Sequence, residues 1–287
     1  MAGRYRMNTR RKLAIATWRA SSDPNIYGKV TVNAERALEY LERLRRETGE
    51  RVSITHLVGR AAALALAGMP TVNGRIAFGR YRPHDSVDVS FLVALDEGMD
   101  LGKAKIERAD QKSVAEIARE LRERAERLRS GNDAGFEKSK PLLRLLPTWL
   151  IRPVLWATGW LTGSLGVSVE ALGLERYPFG ACVVTSVGMF GLDEGYAPPT
   201  PFARVPLYVL VGAVHLCPAV AADGRIVAQH QVTVTATIDH RFFDGYQGGT
   251  LARIIRDVFA DPAAFDSPAR TSEPDHRPTS RAGLRGD

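Results

Sequence analysis

The segment Asp239-His240-Arg241-Phe242-Phe243-Asp244-Gly245 sets an imidazole and a carboxylate at the junction between a predicted strand and a predicted helix. An imidazole so placed suits general-base work, because histidine is the side chain that ordinarily changes charge between about pH 5 and 8. The strand, Gln231 to Ile238, is rich in β-branched residues and alternates in character. The helix is expected from about Gly245 to Ala260, with Leu251, Ile254, Ile255 and Val258 on one stripe. A side chain at such a junction faces a cleft from a rigid backbone. The spacing alone equally allows a hydrogen-bonded core histidine and, at Asp244, a helix cap.

The elements that must position these groups are legible along the chain. Ala34 to Thr48 reads as a helix capped by Asn33, with Leu38, Leu41 and Leu44 on one face and Gly49 after its end. Ser53 or Thr55 starts a second helix through Ala67, apolar around its circumference and therefore buried. Residues 73–82 carry short strand and turn signals, and residues 86–95 alternate strictly before an apolar run, as a strand entering the core does. Ser113 with Glu116 forms a capping box opening a helix to about Arg129. Three strands are expected near 181–187, 206–214 and 225–238, the last broken at His230. A large sheet with helices gives an α+β sandwich.

Composition narrows the class. The 287 residues, 45% hydrophobic and 25% charged, suffice for a large core in one domain. The start Met1-Ala2-Gly3-Arg4-Tyr5-Arg6 has no apolar run behind it, so the chain is expected to be cytoplasmic. Cys182 and Cys217 lie in apolar strand-like segments and read as small buried thiols, neither a disulfide nor a metal pair. A formal net charge of +7 favours anionic ligands. The basic residues are scattered among acids without an aromatic-interleaved patch, which speaks against nucleic acid. Gly159, Gly163 and Gly166 are too irregularly spaced for a phosphate-cradling loop. His56, His84, His215 and His230 show no ligand spacing, so no metal is expected.

Asp-His-Arg-x-x-Asp-Gly before an amphipathic helix resembles the signature of the catalytic domain of 2-oxoacid dehydrogenase acyltransferases, which have the chloramphenicol acetyltransferase-like fold. Three more segments match in the family's order. Residues 11–21 look like its opening helix, Lys112-Ser113-Val114-Ala115-Glu116-Ile117-Ala118 like its Lys-Ser-Leu-x-Glu-Ile-Ala helix start, and Thr185-Ser186-Val187-Gly188-Met189-Phe190-Gly191 like its Ser-Asn-x-Gly-Met-Phe-Gly turn. The resemblance covers roughly residues 9–265. It implies an α+β, two-layer sandwich with a large mixed sheet flanked by helices, after an N-terminal arm at 1–8.

The resemblance also implies a chemistry. His240 would be the general base that takes the proton of an incoming thiol, and Asp244 would pair with an N-terminal arginine, Arg11 or its neighbour Arg10, to hold the site's backbone. Thr185 stands where the family's serine donates to the oxyanion, with Ser186 beside it. A threonine hydroxyl can donate the same bond, although its methyl could tilt it. Otherwise Thr185 and Ser186 satisfy backbone groups of a turn. Acyl-coenzyme A or an acyl-lipoyl group would be the donor. The chain begins almost at the catalytic domain, so a carrier is expected in trans: a lipoyl domain on another protein, an acyl carrier protein, or coenzyme A alone. The reading that competes with an enzyme is a trimeric scaffold or partner-binding protein that kept the fold and lost turnover.

Two segments depart from the family. Residues 131–176 form an insertion holding three of the four tryptophans, Trp149, Trp156 and Trp160. Arg144, Arg152 and three prolines interrupt any membrane-spanning run. The segment reads as a helical hairpin packed on a trimer or a partner, as a lid over a bulky acyl group, or as an element lying on a membrane surface, with the lid or docking roles placed ahead of the membrane one. The Pro/Ser/Arg-rich stretch 266–287 reads as a disordered tail, where cage-forming relatives end in an apolar anchor. A homotrimer with active sites between subunits is therefore expected over a cubic core.

Overall fold

The structure is a computed structural model describing residues 24–95, 100–130, 147–221 and 223–266. Its main sheet has six strands: β1 (Asn25–Asn33), β4 (Val89–Leu95), β5 (Asp100–Ile106), β6 (Cys182–Ser186), β7 (Leu207–Val220) and β8 (Ile226–Asp239). They lie in the order β1-β8-β7-β6-β4-β5, with a separate hairpin of β2 (Gly74–Ala77) and β3 (Arg80–Pro83). β6 runs parallel to both β4 and β7 while the other pairs are antiparallel, so the sheet is mixed.

Helices α1 (Glu35–Thr48), α2 (Ile54–Gly68), α3 (Val114–Arg129) and α5 (Gly245–Ala260) cover one face, and a short α6 (Pro262–Asp266) follows. α4 (Thr148–Gly159) belongs to the insertion. The core lies between that face and the helices: Val89, Phe91, Val184, Val209, Val234 and Ile238 meet Leu41, Leu57, Ile117, Leu251 and Val258. α2 is buried all round, as its apolar circumference requires. Its Arg60, fully buried, donates to the carbonyls of Ala109, Asp110 and Phe265, tying the sheet's helical layer to α6. α3 opens with the expected capping box, Ser113 accepting from Glu116 N and Glu116 from Ser113 N.

Asp266, which the sequence places in the tail, is 7% exposed and closes the domain. Its carboxylate accepts from Tyr40 Oη and, at 2.5 Å, from Val114 N at the start of α3. β8 runs through His230 without a break, because Glu35 accepts from that residue's backbone N–H at 2.7 Å and meets Nδ1 at 2.9 Å. The irregularity lies in the neighbouring strand, between Val211 and Val214 of β7, opposite Val232 to Val234. Beyond it β7 and β8 continue as a two-stranded ribbon with Leu216, Val220 and Ile226 exposed. Cys217 on this ribbon is half-buried, less enclosed than the sequence suggests, whereas Cys182 is buried.

On the sheet's other face Val183 and Tyr208 meet Ala203 and Val205, and the insertion packs beside them: Gly163 lies against Arg204, and Arg75 of the β2–β3 hairpin donates to Ser164 O. α4 leads into a wide turn, Trp160–Leu165. A side chain at Gly159 would come within 2.3 Å of Phe202 O, so only glycine allows that approach. Among the described residues no helix is long and apolar enough to cross a membrane.

Two histidines make stability depend on pH. His56, third residue of α2, accepts Ser53 N–H on Nδ1 at 3.0 Å. Burial, with Arg45 behind it, lowers its pKa from 6.5 to about 4; burial and Arg75 do the same to His84. Between those values the unfolded chain binds protons that the folded chain refuses. The stabilisation is therefore whole above about pH 6.5 and lost as pH falls toward 4, by up to about 1.4 kcal/mol per unit for each histidine. Urea unfolding midpoints measured from pH 7 to 4 should fall steeply, and His56→Gln/His84→Gln should flatten that fall.

Candidate functional site

β8 is flanked by β1 and β7 along its central length and delivers the signature segment at its end. The neighbours fix that end: Asp239 N donates to Pro206 O at 2.9 Å and His240 N to Pro24 O at 2.7 Å. The chain then turns, with Phe242 N and Phe243 N both donating to Asp239 O. Arg241 grips the Asp239 carboxylate through Nε at 2.9 Å and Nη2 at 2.5 Å, and its backbone N–H donates to the same carboxylate. Phe243 is buried in the core and anchors the turn from below. Asp244 caps α5, accepting from Tyr246 N at 2.8 Å, while Gln247 Oε1 accepts from Asp244 N at 3.0 Å.

Within this frame the His240 ring is exposed, with Nδ1 2.5 Å from Phe243 O. A carbonyl oxygen has no proton to give, so Nδ1 must carry the hydrogen. Nε2 is left with its lone pair, the tautomer a general base needs. His240 is thus not a core histidine, whereas the helix-cap role of Asp244 is present.

Thr185 lies on β6, paired with Leu210, which pairs in turn with Thr235 of β8. Alternation along β6 turns Thr185 with Val183 to the face away from the helices, and Ser186 with Val184 to the helix side. Both are half-buried, and neither hydroxyl has a hydrogen-bond partner among the described residues. The turn Gly188–Phe190 follows, and a side chain at Gly188 would come within 2.7 Å of Gly212 O. Met189 and Phe190 are exposed beyond it.

The structure brings His240 and Asp244 together and places Thr185 and Ser186 elsewhere in the same chain. His240 lies five residues beyond Thr235 (240 − 235), and Thr185 lies two strands across from Thr235. Those steps separate them by roughly 16 Å along the strands and about 10 Å across. Arg11 and Arg10 lie outside the described residues. Sequence reasoning missed the Asp239–Arg241 pair and the role of Phe243 O. The signal for the first was the acid and base flanking His240; the second is a backbone group with no signature. No group of three or more metal-ligating side chains is found among the described residues.

The architecture is the two-layer α+β sandwich of the chloramphenicol acetyltransferase-like fold. A probable dihydrolipoamide acetyltransferase from Listeria monocytogenes superimposes with a TM-score of 0.61 at 23% identity, over 93% of this chain and 96% of that one. Azotobacter vinelandii dihydrolipoamide acetyltransferase, studied for the role of a serine, a histidine and an asparagine in its catalytic mechanism, gives 0.61 at 18% identity over 85% and 84%.

The profile of the family described as 2-oxoacid dehydrogenases acyltransferase (catalytic domain) matches residues 3–135 and 170–265, and the chain belongs to that family. The gap in the match falls within the insertion. The dihydrolipoyllysine-residue acetyltransferase component of pyruvate dehydrogenase complex of Rickettsia felis is 23% identical over 250 residues, 84% of this chain and 48% of that protein. The chain spans about half the length of the curated relatives it matches.

Proposed function

We propose that the chain is an acyltransferase moving an acyl group between a thioester donor, acyl-coenzyme A or acyl-lipoyl, and a thiol or other small acceptor, with His240 as general base. The observation that carries this reading is the bond from His240 Nδ1–H to Phe243 O, which leaves the Nε2 lone pair on an exposed ring. Nε2 takes the proton of the incoming thiol, and the thiolate attacks the thioester carbonyl. The carbonyl oxygen gains the negative charge and accepts a hydrogen bond from a hydroxyl; the unpartnered Thr185 Oγ1 is the donor proposed, with Ser186 beside it. On collapse the new thioester forms, and the departing thiolate takes the proton back from Nε2. The Asp239–Arg241 pair and the Asp244 cap keep the imidazole aimed, and Arg11 is proposed as the arginine that holds Asp244.

Because one chain holds His240 and Thr185 far apart, the reaction needs the threonine of a second copy. A homotrimer with three such shared sites satisfies this, since closed cyclic symmetry repeats one interface. A lipoyl domain or acyl carrier protein is the proposed carrier, and the cytoplasm the proposed location. The test is mass spectrometry of the full chain with a panel of acyl-coenzyme A donors and a free lipoyl domain. Acylation of the lipoyl domain that depends on the protein supports the reading; no transfer from any donor, in a folded trimer, overturns it.

A further inference from the structure

Arg204 stands where the insertion meets the His240 turn. It lies two residues before Pro206, whose carbonyl holds Asp239, and three before Leu207, which pairs with Ile238. Its backbone is held at φ 54°, in the left-handed region that a residue with a β-carbon occupies at a cost. Among the described residues the guanidinium makes one hydrogen bond, from Nη1 to Ser164 Oγ at 2.9 Å, and it lies 6.0 Å from the centroid of the Trp156 ring. Ser164, 2% exposed, is itself fixed by Arg75 Nε donating to its carbonyl at 2.9 Å. Arg204 Nε is buried and has no acceptor among the described residues.

Among the described residues, the charges around Arg204 are unbalanced. Arg241, next to His240, has its charge matched by Asp239. Arg204 has no carboxylate partner among the described residues; burial first, and the Arg241 charge second, push its pKa below the ordinary arginine value. A buried N–H without an acceptor is costly, more so on a cation, and an anion would relieve it. The planar guanidinium matches carboxylate and phosphate oxygens two at a time. The Trp156 ring beside it is 62% exposed, so the guanidinium is within reach of a ligand from solvent.

We propose that Arg204, positioned by Ser164 of the insertion, binds an anionic group carried by the thioester substrate beside His240. This rests on the acyl-transfer reading of that histidine. The anion is either a carboxylate at the far end of the acyl chain or a phosphate of coenzyme A. The insertion then serves to hold a substrate-binding cation at the mouth of the site, and an uncharged carrier of the same acyl group gains nothing from it.

Calorimetric binding to the full chain tests this with two ligand pairs, S-succinylpantetheine against its uncharged amide, and coenzyme A against pantetheine. In at least one pair the charged member should bind about tenfold tighter or better. The first pair identifies the carboxylate as the source and the second the phosphate. Arg204→Gln should erase that preference, and Arg204→Lys should retain part of it. Should Arg204→Gln fail to fold, the wild-type pairs and Arg204→Lys decide. Equal binding within both pairs by the wild type, or an unchanged preference in a folded Arg204→Gln, overturns the proposal. Binding needs no turnover, so a charge preference without acyl transfer would sink the His240 reading alone, and transfer without a preference would sink the anion site alone.

Discussion

His240→Ala is expected to lower the rate of acyl transfer by about a thousandfold, within the range a positioned general base contributes. The same variant should melt within about 2 °C of the parent, since substitutions at exposed positions ordinarily change stability by less than about 0.5 kcal/mol. The reason for the split lies in the turn. The imidazole contributes one bond, to Phe243 O, whereas the turn is held independently by Asp239, Arg241, Pro206 and Pro24. With the ring gone, Phe243 O faces a position already open to water. Steady-state rates and thermal melts on one preparation check both halves. A large drop in melting temperature with little loss of rate would reverse the assignment, and would favour a scaffold in which the residue serves the fold.

Mixing two inactive variants should restore activity. Thr185→Val removes the proposed oxyanion donor and is expected to cost about a hundredfold or more. Mixed with His240→Ala and allowed to exchange subunits, it forms interfaces in which one copy supplies an intact His240 and its neighbour an intact Thr185. If subunits exchange at random in a cyclic trimer, roughly a quarter of sites become complete. Activity should therefore rise far above either parent, toward a quarter of wild type. A mixture no better than its components would mean that both groups serve from one chain, against the separation that the strand register imposes.

The sequence was most readable where local chemistry and tertiary position agree. Helix α5 keeps its expected bounds because Asp244 caps it and its apolar stripe meets the core. Ser113 and Glu116 announced α3 because each satisfies a backbone group of the other. Strand β5 carries no clear signal in the sequence. Lys103 and Lys105 look like solvent-facing residues in the sequence, yet Lys105 is 5% exposed and paired with Glu175, a partner seventy positions on (175 − 105). The expected break at His230 failed for a similar reason, since Glu35 reaches it from the far end of β1. In the site, the residue types of the His240 turn were legible, and its tautomer was not: that depends on a backbone oxygen whose direction only the folded turn sets. Arg204 carries no motif, and the contact that fixes its guanidinium, with Ser164, exists only once the insertion has folded against it.

The placement of the two sulphurs has a practical consequence. Burial raises the Cys182 thiol far above its usual range, and alkylating reagents attack the thiolate, so that group is inert in the native state. Cys217 is half-buried on the β7–β8 ribbon. The unaltered protein therefore offers one addressable sulphur, and a fluorophore attached there would register whether the ribbon rests against another copy.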